Sequence, residues 1–501
     1  MHLVGAGAPV DIGEARRHAA SGQSKLLASR VGILAITLLS TVTIARLVPP
    51  SEFGLASLAQ VVVVFAQVFR DFGVTNAILR KGNIRPEEIS MIFWFNVVAT
   101  FALSLLLLAA SPLAAAFFGE PVVAAALSVS VVGFFVGGVA LQHRALLLRD
   151  LRFGQIAMID VVGLLVGYLV TLTLALIRHD VWAIVIGAVT QSVVSGGLAI
   201  ALSRWRPSRP RRSPELWDLL RFGANSTVNS LSVMLSNNFA TIVIGRMFDA
   251  AALGHYNRAQ MLFAMPNTNI IQPITQATMP LLTRLRPHPE QYRSAYLALV
   301  GRLSVLLMPM AVTLTLTAVP LVHLLLGSRW HTTGVVLMAL APTLAVMGVG
   351  HAVADLFITQ DRSREMRNLG LAELVIRIGL ITVGAFLGLI ETALAFTIST
   401  ALAVALRVTI AGRKGPVSGK DQVVASLAGL PPGLGAALFA VPLYFLLPDD
   451  VVLRAIWIPL GGILGALVGG LLTKRSRDGL SELAIAFGMA GLLRRFRPRP
   501  L

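Results

Sequence analysis

Residues 41–77 read TVTIARLVPPSEFGLASLAQVVVVFAQVFRDFGVTNA, and residues 241–277 read TIVIGRMFDAAALGHYNRAQMLFAMPNTNIIQPITQA. Aligned without a gap, the two stretches share Thr41 with Thr241, Ile44 with Ile244, Arg46 with Arg246 and Gly54 with Gly254. They also share Ala59 with Ala259, Gln60 with Gln260, Thr75 with Thr275 and Ala77 with Ala277. Eight identities in 37 positions exceed chance severalfold. Six apolar runs separate the starts of the two copies. An even number returns the chain to the same side of a membrane, so the copies are parallel repeats about an axis along the membrane normal, one way of building transporters.

The rest of the chain supplies the runs. It has 501 residues, of which 55% are hydrophobic and 13% charged, and its mean hydropathy is +0.77. That leaves too little polar surface to cover a soluble core of this size. Fourteen apolar runs, from 29–48 and 53–74 through to 425–447 and 452–473, are each about as long as a crossing of a roughly 30 Å bilayer core requires. No small-residue cleavage site follows the first run, which reads as a transmembrane helix and not a removed signal. With the N-terminus in the cytoplasm, the inner connectors hold Arg80, Lys81 and Arg85, then Arg144, Arg149 and Arg152, then Arg204, Arg206, Arg209, Arg211, Arg212 and Arg221. They continue with Arg284, Arg286, Arg293 and Arg302, with Arg362, Arg364 and Arg367, and with Arg413, Lys414 and Lys420. The outer connectors hold Arg178, Arg329 and Arg454. This alternation is the positive-inside pattern. It also accounts for a net charge of +18 without a nucleic-acid groove.

The expected fold is therefore all-α and membrane-integral, with about 14 transmembrane helices in two parallel six-helix lobes plus a C-terminal helix pair. The expected segments are an N-terminal cytoplasmic stretch 1–28, an N-lobe 29–203, a basic cytoplasmic linker 204–222, a C-lobe 223–411, an extra helix pair 412–473 and a basic tail 474–501. The tail carries an amphipathic stretch, Leu480 to Leu493, too short to span and suited to the inner interface. Both termini are expected in the cytoplasm of a bacterial inner membrane.

Conventional catalysis finds little support, and no catalytic residues are assigned. The nearest approach to a phosphate-binding loop, Gly415 to Asp421, has the wrong spacing and ends in aspartate where Ser or Thr is needed. Asn225-Ser226-Thr227 matches a glycosylation acceptor but sits at an inner helix start. There are no cysteines, the histidines lack metal-ligand spacing, and no metal site or cofactor is expected. The outer connectors are stubs such as Phe118-Gly119-Glu120 and Pro448-Asp449-Asp450, too small to hold an outer-face active site. Transport remains.

Polar side chains inside spans are costly and mark pathways. The seventh span carries Asn237 and Asn238 among several serines. The eighth carries Asn267, Asn269 and Gln272 between Pro266 and Pro273, and these five residues are candidates to line a wet cavity. Interhelical hydrogen bonding alone is the plainer reading. Arg377 lies about two turns into the eleventh span with Glu373 one turn before it, spaced for a self-neutralising i,i+4 pair. Arg46 and Arg246 stand near the outer ends of their spans and Arg258 begins the eighth. Snorkelling explains such positions, but anchors need not repeat, and the guanidinium fork suits phosphate or pyrophosphate. Arg46, Arg246, Arg258 and Arg377 are thus candidates for a pyrophosphate-binding cavity. Asp71, Asp355 and Glu373 are candidates for coupling to a proton or sodium gradient, although Asp71 and Asp160 also have arginines nearby to pair with.

Several ordered motifs carry a family resemblance: ARLVPPSEFG (45–54), FRDFG (69–73), FWFN (93–96), RALLLRDLRF (144–153), IGR (244–246) and LGHYNRA (253–259). Together they resemble the Wzx-type polysaccharide exporters, lipid-linked oligosaccharide flippases of the MATE-like multidrug/oligosaccharidyl-lipid/polysaccharide superfamily, over about residues 24–410. The resemblance implies two six-helix lobes around a central cavity, with undecaprenyl-pyrophosphate-linked oligosaccharide moved from the inner to the outer leaflet for a surface or secreted polysaccharide. It implies membrane lipids, a polysaccharide polymerase and a chain-length regulator as partners, and no nucleic acid. One departure is Ala240, where relatives commonly place an aspartate four residues before the Ile-Gly-Arg triplet. Alternatives on the same sequence are a cation-coupled MATE-type drug exporter, a flippase for the peptidoglycan precursor and, in another class, a membrane glycan polymerase or ligase.

Overall fold

The structure is a computed structural model that describes residues 32–71, 86–209 and 216–486. The expectations placed on residues 1–28, on Thr75, Ala77, Arg80, Lys81, Arg85, Arg211 and Arg212, on the side chains of Arg221, Asn225, Ser226, Thr227, Asn229 and Ser230, and on residues 487–501 lie outside it. Among the described residues every regular element is helical. In chain order they include α1 (Gly32–Leu47), α2 (Pro50–Asp71), α3 (Pro86–Phe118), α4 (Val122–Arg149), α5 (Phe153–Ile177), α6 (Val181–Ser203) and α7 (Leu216–Met247). There follow α8 (Ala250–Pro266), α9 (Gln272–Leu285), α10 (Pro289–Leu326), α11 (His331–Leu340), α12 (Thr343–Thr359), α13 (Ser363–Leu387) and α14 (Leu389–Ala411). Last come α15 (Gly419–Ser426), α16 (Leu430–Leu446), α17 (Val451–Leu472) and α18 (Lys474–Ala486). The chain divides into two compact units, the first ending at Met234 and the second beginning at Leu235.

Among the described residues ten helices are long and apolar enough to cross a membrane, eleven if α11 and α12, bent by 51°, form one span. This is fewer than the fourteen expected, and the shortfall has identifiable causes. Helix α1 has a described length of about 24 Å at 1.5 Å per residue, less than the roughly 30 Å core. Helix α7 is long but interrupted by polar residues. The eighth expected span is split into α8 and α9 by a π-turn at Asn267–Ile271, where the Gln272 N–H donates to the Asn267 carbonyl. Pro273 cannot donate to the carbonyl four residues earlier, and the widened turn absorbs that loss.

The repeat has a structural counterpart. Helices α1 and α7 end at Leu47 and Met247, and the Val48 and Phe248 amides donate to the Ile44 and Ile244 carbonyls, both at 2.9 Å. The next helix resumes at Pro50 in one copy and Ala250 in the other. Gly54, Ala59, Gly254 and Ala259 are all buried against their own units. Where the second copy restarts, Asp249 accepts from the Ala252 amide at 2.7 Å, an N-cap. In the first copy Glu52 instead accepts from the Val181 amide at 2.8 Å, so the start of α2 caps α6.

Two buried amide side chains of the first unit donate to the backbone of neighbouring helices. Asn96 donates to the Gly138 carbonyl at 2.8 Å and Gln142 to the Ile89 carbonyl at 2.6 Å. The linker is tied down at its start: the Trp94 indole donates to the Ser208 carbonyl at 2.9 Å, and the Ser208 amide donates to the Ser90 hydroxyl at 3.1 Å.

The terminal pair packs through glycine. A Cβ on Gly435 would overlap the Gly465 carbonyl, one on Gly465 the Gly435 carbonyl, and one on Gly469 the Pro431 carbonyl. Without a hydrophobic force between helices in lipid, such backbone contact is what holds α16 to α17. Helix α18 starts at Lys474, earlier than the expected interfacial stretch, and it docks on protein. Ser476 is fully buried and donates to the Ala428 carbonyl at 2.8 Å, and Leu480 packs against Val305 and Ala428.

Gly465→Leu must separate α16 from α17, whereas Leu472→Ala trims a side chain that is 74% exposed to lipid or solvent. Thermal unfolding of the purified variants in detergent should show a fall for Gly465→Leu that matches overpacking of about 1–3 kcal/mol. Leu472→Ala should melt with the parent. Equal melting of all three proteins would show that the glycine contact is not what joins the pair.

Candidate functional site

The second unit gathers its charged side chains where α7, α8, α13 and α14 meet. Arg377, midway along α13, donates through Nη1 to the Ser236 carbonyl at 3.3 Å and through Nη2 to the Thr400 hydroxyl at 3.2 Å. Its guanidinium lies over the Phe396 ring at 4.8 Å from the centroid, and Phe396 in turn meets Phe263 edge-on. Thr400 is held for this role because its hydroxyl donates back to the Phe396 carbonyl at 2.9 Å. Among the described residues Arg377 forms no ion pair.

The i,i+4 pair between Glu373 and Arg377 that sequence spacing suggests does not form. The buried Glu373 takes both prongs of Arg407 from α14, Nε to Oε1 and Nη2 to Oε2, and Arg407 Nη1 also reaches the Gly350 carbonyl at 3.4 Å. A bidentate fork is worth more than a monodentate contact, so Arg407 neutralises Glu373 and Arg377 keeps its charge. Sequence reading missed Arg407 because its partner lies on another helix.

The remaining candidates separate into groups. Arg46 and Arg246 are exposed and occupy the penultimate positions of α1 and α7. Arg258 is half-buried on α8, with Nη1 3.2 Å from the Met261 sulfur. Asn237, Asn269 and Gln272 have exposed side chains, and Asn238 and Asn267 are half-buried. Asn269 is partly satisfied locally, donating to the Met265 carbonyl at 2.9 Å, while Asn267 Oδ1 is buried with no hydrogen-bond partner among the described residues. Nearby, Thr241 donates to the Asn257 side chain at 3.2 Å, and Gln260 donates to the hydroxyl of the fully buried Tyr256 at 3.1 Å.

Of the three carboxylates expected to couple an ion, Glu373 is taken by Arg407. Asp71 is half-exposed and paired with Arg70 at 2.9 Å. Asp160 is likewise held, by both Nη atoms of Arg144 at 2.6 and 2.9 Å. Asp355 differs: its Oδ2 is buried with no hydrogen-bond partner among the described residues. No group of three or more His, Asp or Glu side chains with metal-binding geometry occurs among the described residues.

The first unit holds a cleft of about 290 Å³ between α2, α4 and α6, lined by Gln60, Gln67, Arg70, Ser130, Arg144 and Ser192 along with small apolar residues. No sequence motif announced it. The signal that could have is the spacing of Gln60, Gln67 and Arg70, which puts three polar side chains on one face of an otherwise apolar helix.

With this geometry in hand, the chain can be compared with known proteins. It is 24% identical over 353 residues to the lipopolysaccharide biosynthesis protein WzxC of Escherichia coli (strain K12), covering 69% of this chain and 71% of that protein. It is 24% identical over 323 residues to the succinoglycan biosynthesis transport protein ExoT of Rhizobium meliloti (strain 1021), covering 64% of this chain and 65% of that one. Its fold matches the lipid II flippase MurJ in an inward closed conformation, with a TM-score of 0.71 and 14% identity over 89% of this chain and 97% of that one. The family model described as polysaccharide biosynthesis protein matches residues 43–334. Because that match spans more than half of the sequence, the chain belongs to the polysaccharide biosynthesis protein family, as a multi-pass membrane protein with a flippase-like helical fold.

Proposed function

We propose that this protein is a flippase that carries polyprenyl-pyrophosphate-linked oligosaccharide repeat units from the inner to the outer leaflet of a bacterial inner membrane, for assembly of a surface or secreted polysaccharide. Family membership supports the pathway, the transport protein ExoT supports movement over synthesis, and the fold suits a lipid-linked cargo. The observation that carries the reading is Arg377, a charged fork within a membrane helix whose partners are a carbonyl, a hydroxyl and a ring. Its neighbour Glu373 is neutralised by Arg407. An intramembrane charge is expensive and belongs to a functional path by default. A diphosphate in a low-dielectric region needs such a charge opposite it, because an unpaired buried anion costs many kcal/mol.

Arg46, Arg246 and Arg258 serve as further stations for the headgroup, with Asn237, Asn238, Asn267, Asn269 and Gln272 hydrogen-bonding the sugars along the way. The segments 29–203 and 223–411 serve as the two halves of the transporter, joined by the linker 204–222, with 412–473 as an accessory pair. A potential positive outside favours outward passage of negative charge by about 2.3 kcal/mol per charge per 100 mV. Asp355, with its unpartnered buried oxygen, is the carboxylate best placed to bind a proton or sodium ion that supplies the rest. No enzymatic step is needed, and a polymerase and chain-length regulator act on the delivered units.

Three measurements test this reading. Arg377→Gln should abolish polysaccharide export while inserting normally, with Arg377→Lys intermediate at most, because lysine keeps the charge but loses the fork. Normal export by a stably inserted Arg377→Gln protein would reduce Arg377 to a packing residue. Glu373→Gln strands the Arg407 charge and should lower thermal stability by about 3–5 kcal/mol, the cost of breaking a buried pair, while Glu373→Gln/Arg407→Gln together should recover most of it. No recovery in the double variant would mean that the two groups act separately. The orientation is read by single cysteines in a chain that has none: Ser208→Cys should resist an impermeant maleimide on intact cells and Asp449→Cys should label. The reverse pattern overturns the assignment of the termini to the cytoplasm.

A further inference from the structure

The cleft of the first unit has no part in the path just proposed. Four residues of α2 that line it, Gln60, Val63, Gln67 and Arg70, follow at intervals of three, four and three, so they share one helical face. Arg70 is anchored firmly: its side chain is 10% exposed, Nε pairs with Asp71 at 2.9 Å, Nη1 donates to the Phe134 carbonyl at 3.1 Å, and the guanidinium lies 4.9 Å from the Phe134 ring centroid. Gly137 and Gly138 make room for it, since a Cβ on Gly138 would come within 2.9 Å of Arg70 Cδ. Across the cleft, Arg144 is oriented by its bidentate pair with Asp160. Neither Asp71 nor Asp160 lines the cleft, so its wall carries two ion-paired arginines and no carboxylate.

Among the described residues, Nη2 of Arg70, Nε of Arg144 and the side-chain amides of Gln60 and Gln67 have no hydrogen-bond partner. The Ser130 and Ser192 hydroxyls donate to carbonyls within their own helices at 2.8 and 3.0 Å. The repeat makes the point sharper. In the second copy Gln260 is satisfied by Tyr256, but the position matching Tyr256 in the first copy is Ala56, and Gln60 has no such partner. The position matching Arg70 is Ile270. On this face the first copy thus carries a charge and an unpartnered amide that the second copy lacks.

We propose that this cleft is a second headgroup site, which takes the diphosphate of a polyprenyl-linked substrate at the cytoplasmic leaflet before its transfer to the outer leaflet. The proposal rests on the flippase reading and on the inward orientation of the C-terminal ends of α2 and α4, where Arg70 and Arg144 stand. One open N–H from each side, Nη2 of Arg70 and Nε of Arg144, faces the two phosphoryl groups, the glutamine amides supply neutral donors, and a volume of about 290 Å³ suits a headgroup and not a whole repeat unit. The apolar remainder of the lipid stays in the bilayer.

Native mass spectrometry of the purified chain tests this with three probes: undecaprenyl diphosphate, phosphatidylglycerol and soluble inorganic pyrophosphate. The expected result is an undecaprenyl diphosphate adduct that outcompetes phosphatidylglycerol and falls at least about fivefold in Arg70→Gln and in Arg144→Gln. Ser192→Leu fills the cleft without touching either arginine and should lower the adduct similarly, which covers the case in which an arginine variant fails to fold. Wild-type occupancy in all the folded variants overturns the site. So does equal loss of phosphatidylglycerol, which would mark a general lipid contact, or binding of pyrophosphate with no lipid adduct. The flippase reading is judged separately, by polysaccharide export in a deletion strain. Export lost on deletion with no Arg70-dependent adduct overturns this site alone, and an Arg70-dependent adduct with export intact overturns that reading alone.

Discussion

A bilayer core offers no hydrogen bonds, so every polar group in a membrane helix must find its partner within the protein. Most of the side-chain chemistry in this chain follows from that constraint. Buried serines and threonines turn their hydroxyls back onto carbonyls in the preceding turn, as Thr41 does to Thr37 and Thr317 to Thr313, each at 2.7 Å. Asn96 and Gln142 bridge to the backbone of a neighbouring helix. Arg362 closes the C-terminal end of α14 by donating to the carbonyls of Ile410, Ala411 and Lys414. The Ile410 and Ala411 carbonyls stand at the negative end of the α14 dipole, so a cation there is favoured. Several side-chain atoms are nonetheless buried without a partner among the described residues, among them Asn96 Oδ1, Gln142 Oε1, Asp355 Oδ2 and Asn267 Oδ1. Groups left unsatisfied in such an environment call for a reason, and ion or substrate binding provides one.

The large features were legible in the sequence because each rests on a local property that repeats. Hydropathy is a sum over about 20 neighbouring residues, and connector charge is a count over short loops, so neither depends on tertiary structure. The 200-residue repeat was visible for the same reason: the junctions after Leu47 and Met247 close with the same backbone bond. The number of spans was less legible. Length and apolar content identify ten or eleven, and the segments that fall short are those that sequence reading had singled out as polar or proline-broken, apart from α1. A functional path must be made from helices that are poor membrane spans by composition, so a count by hydropathy loses its footing there.

The partners of charged residues were not legible. Spacing favoured Glu373 with Arg377, four apart on one helix, and the protein instead pairs Glu373 with Arg407, 34 residues on. An i,i+4 contact between long side chains on a helix surface gains only a few tenths of a kcal/mol, so a fork arriving from a second helix displaces it readily. Arg70 and Asp71, by contrast, do pair with each other, since adjacent residues at a helix end need no tertiary information to meet. The cleft was hidden because its walls come from α2, α4 and α6, and nothing in the one-dimensional pattern says that these faces converge.

Two copies built from one repeat begin with equivalent polar faces, and a path for a charged cargo along a symmetric pair would have equal wells on both sides. Equal wells favour dwelling over directed passage. The copies here have diverged in the charges of their second helices, Arg70 against Ile270, and in what each glutamine faces, Ala56 against Tyr256. They have kept Arg46 and Arg246 at matching helix ends. The face of α2 that carries Gln60 and Arg70 is thus cationic in one copy, and the matching positions Gln260 and Ile270 of the other are uncharged. The retained arginines mark what the two copies hold in common, and the diverged face of α2 marks what distinguishes the first copy from the second.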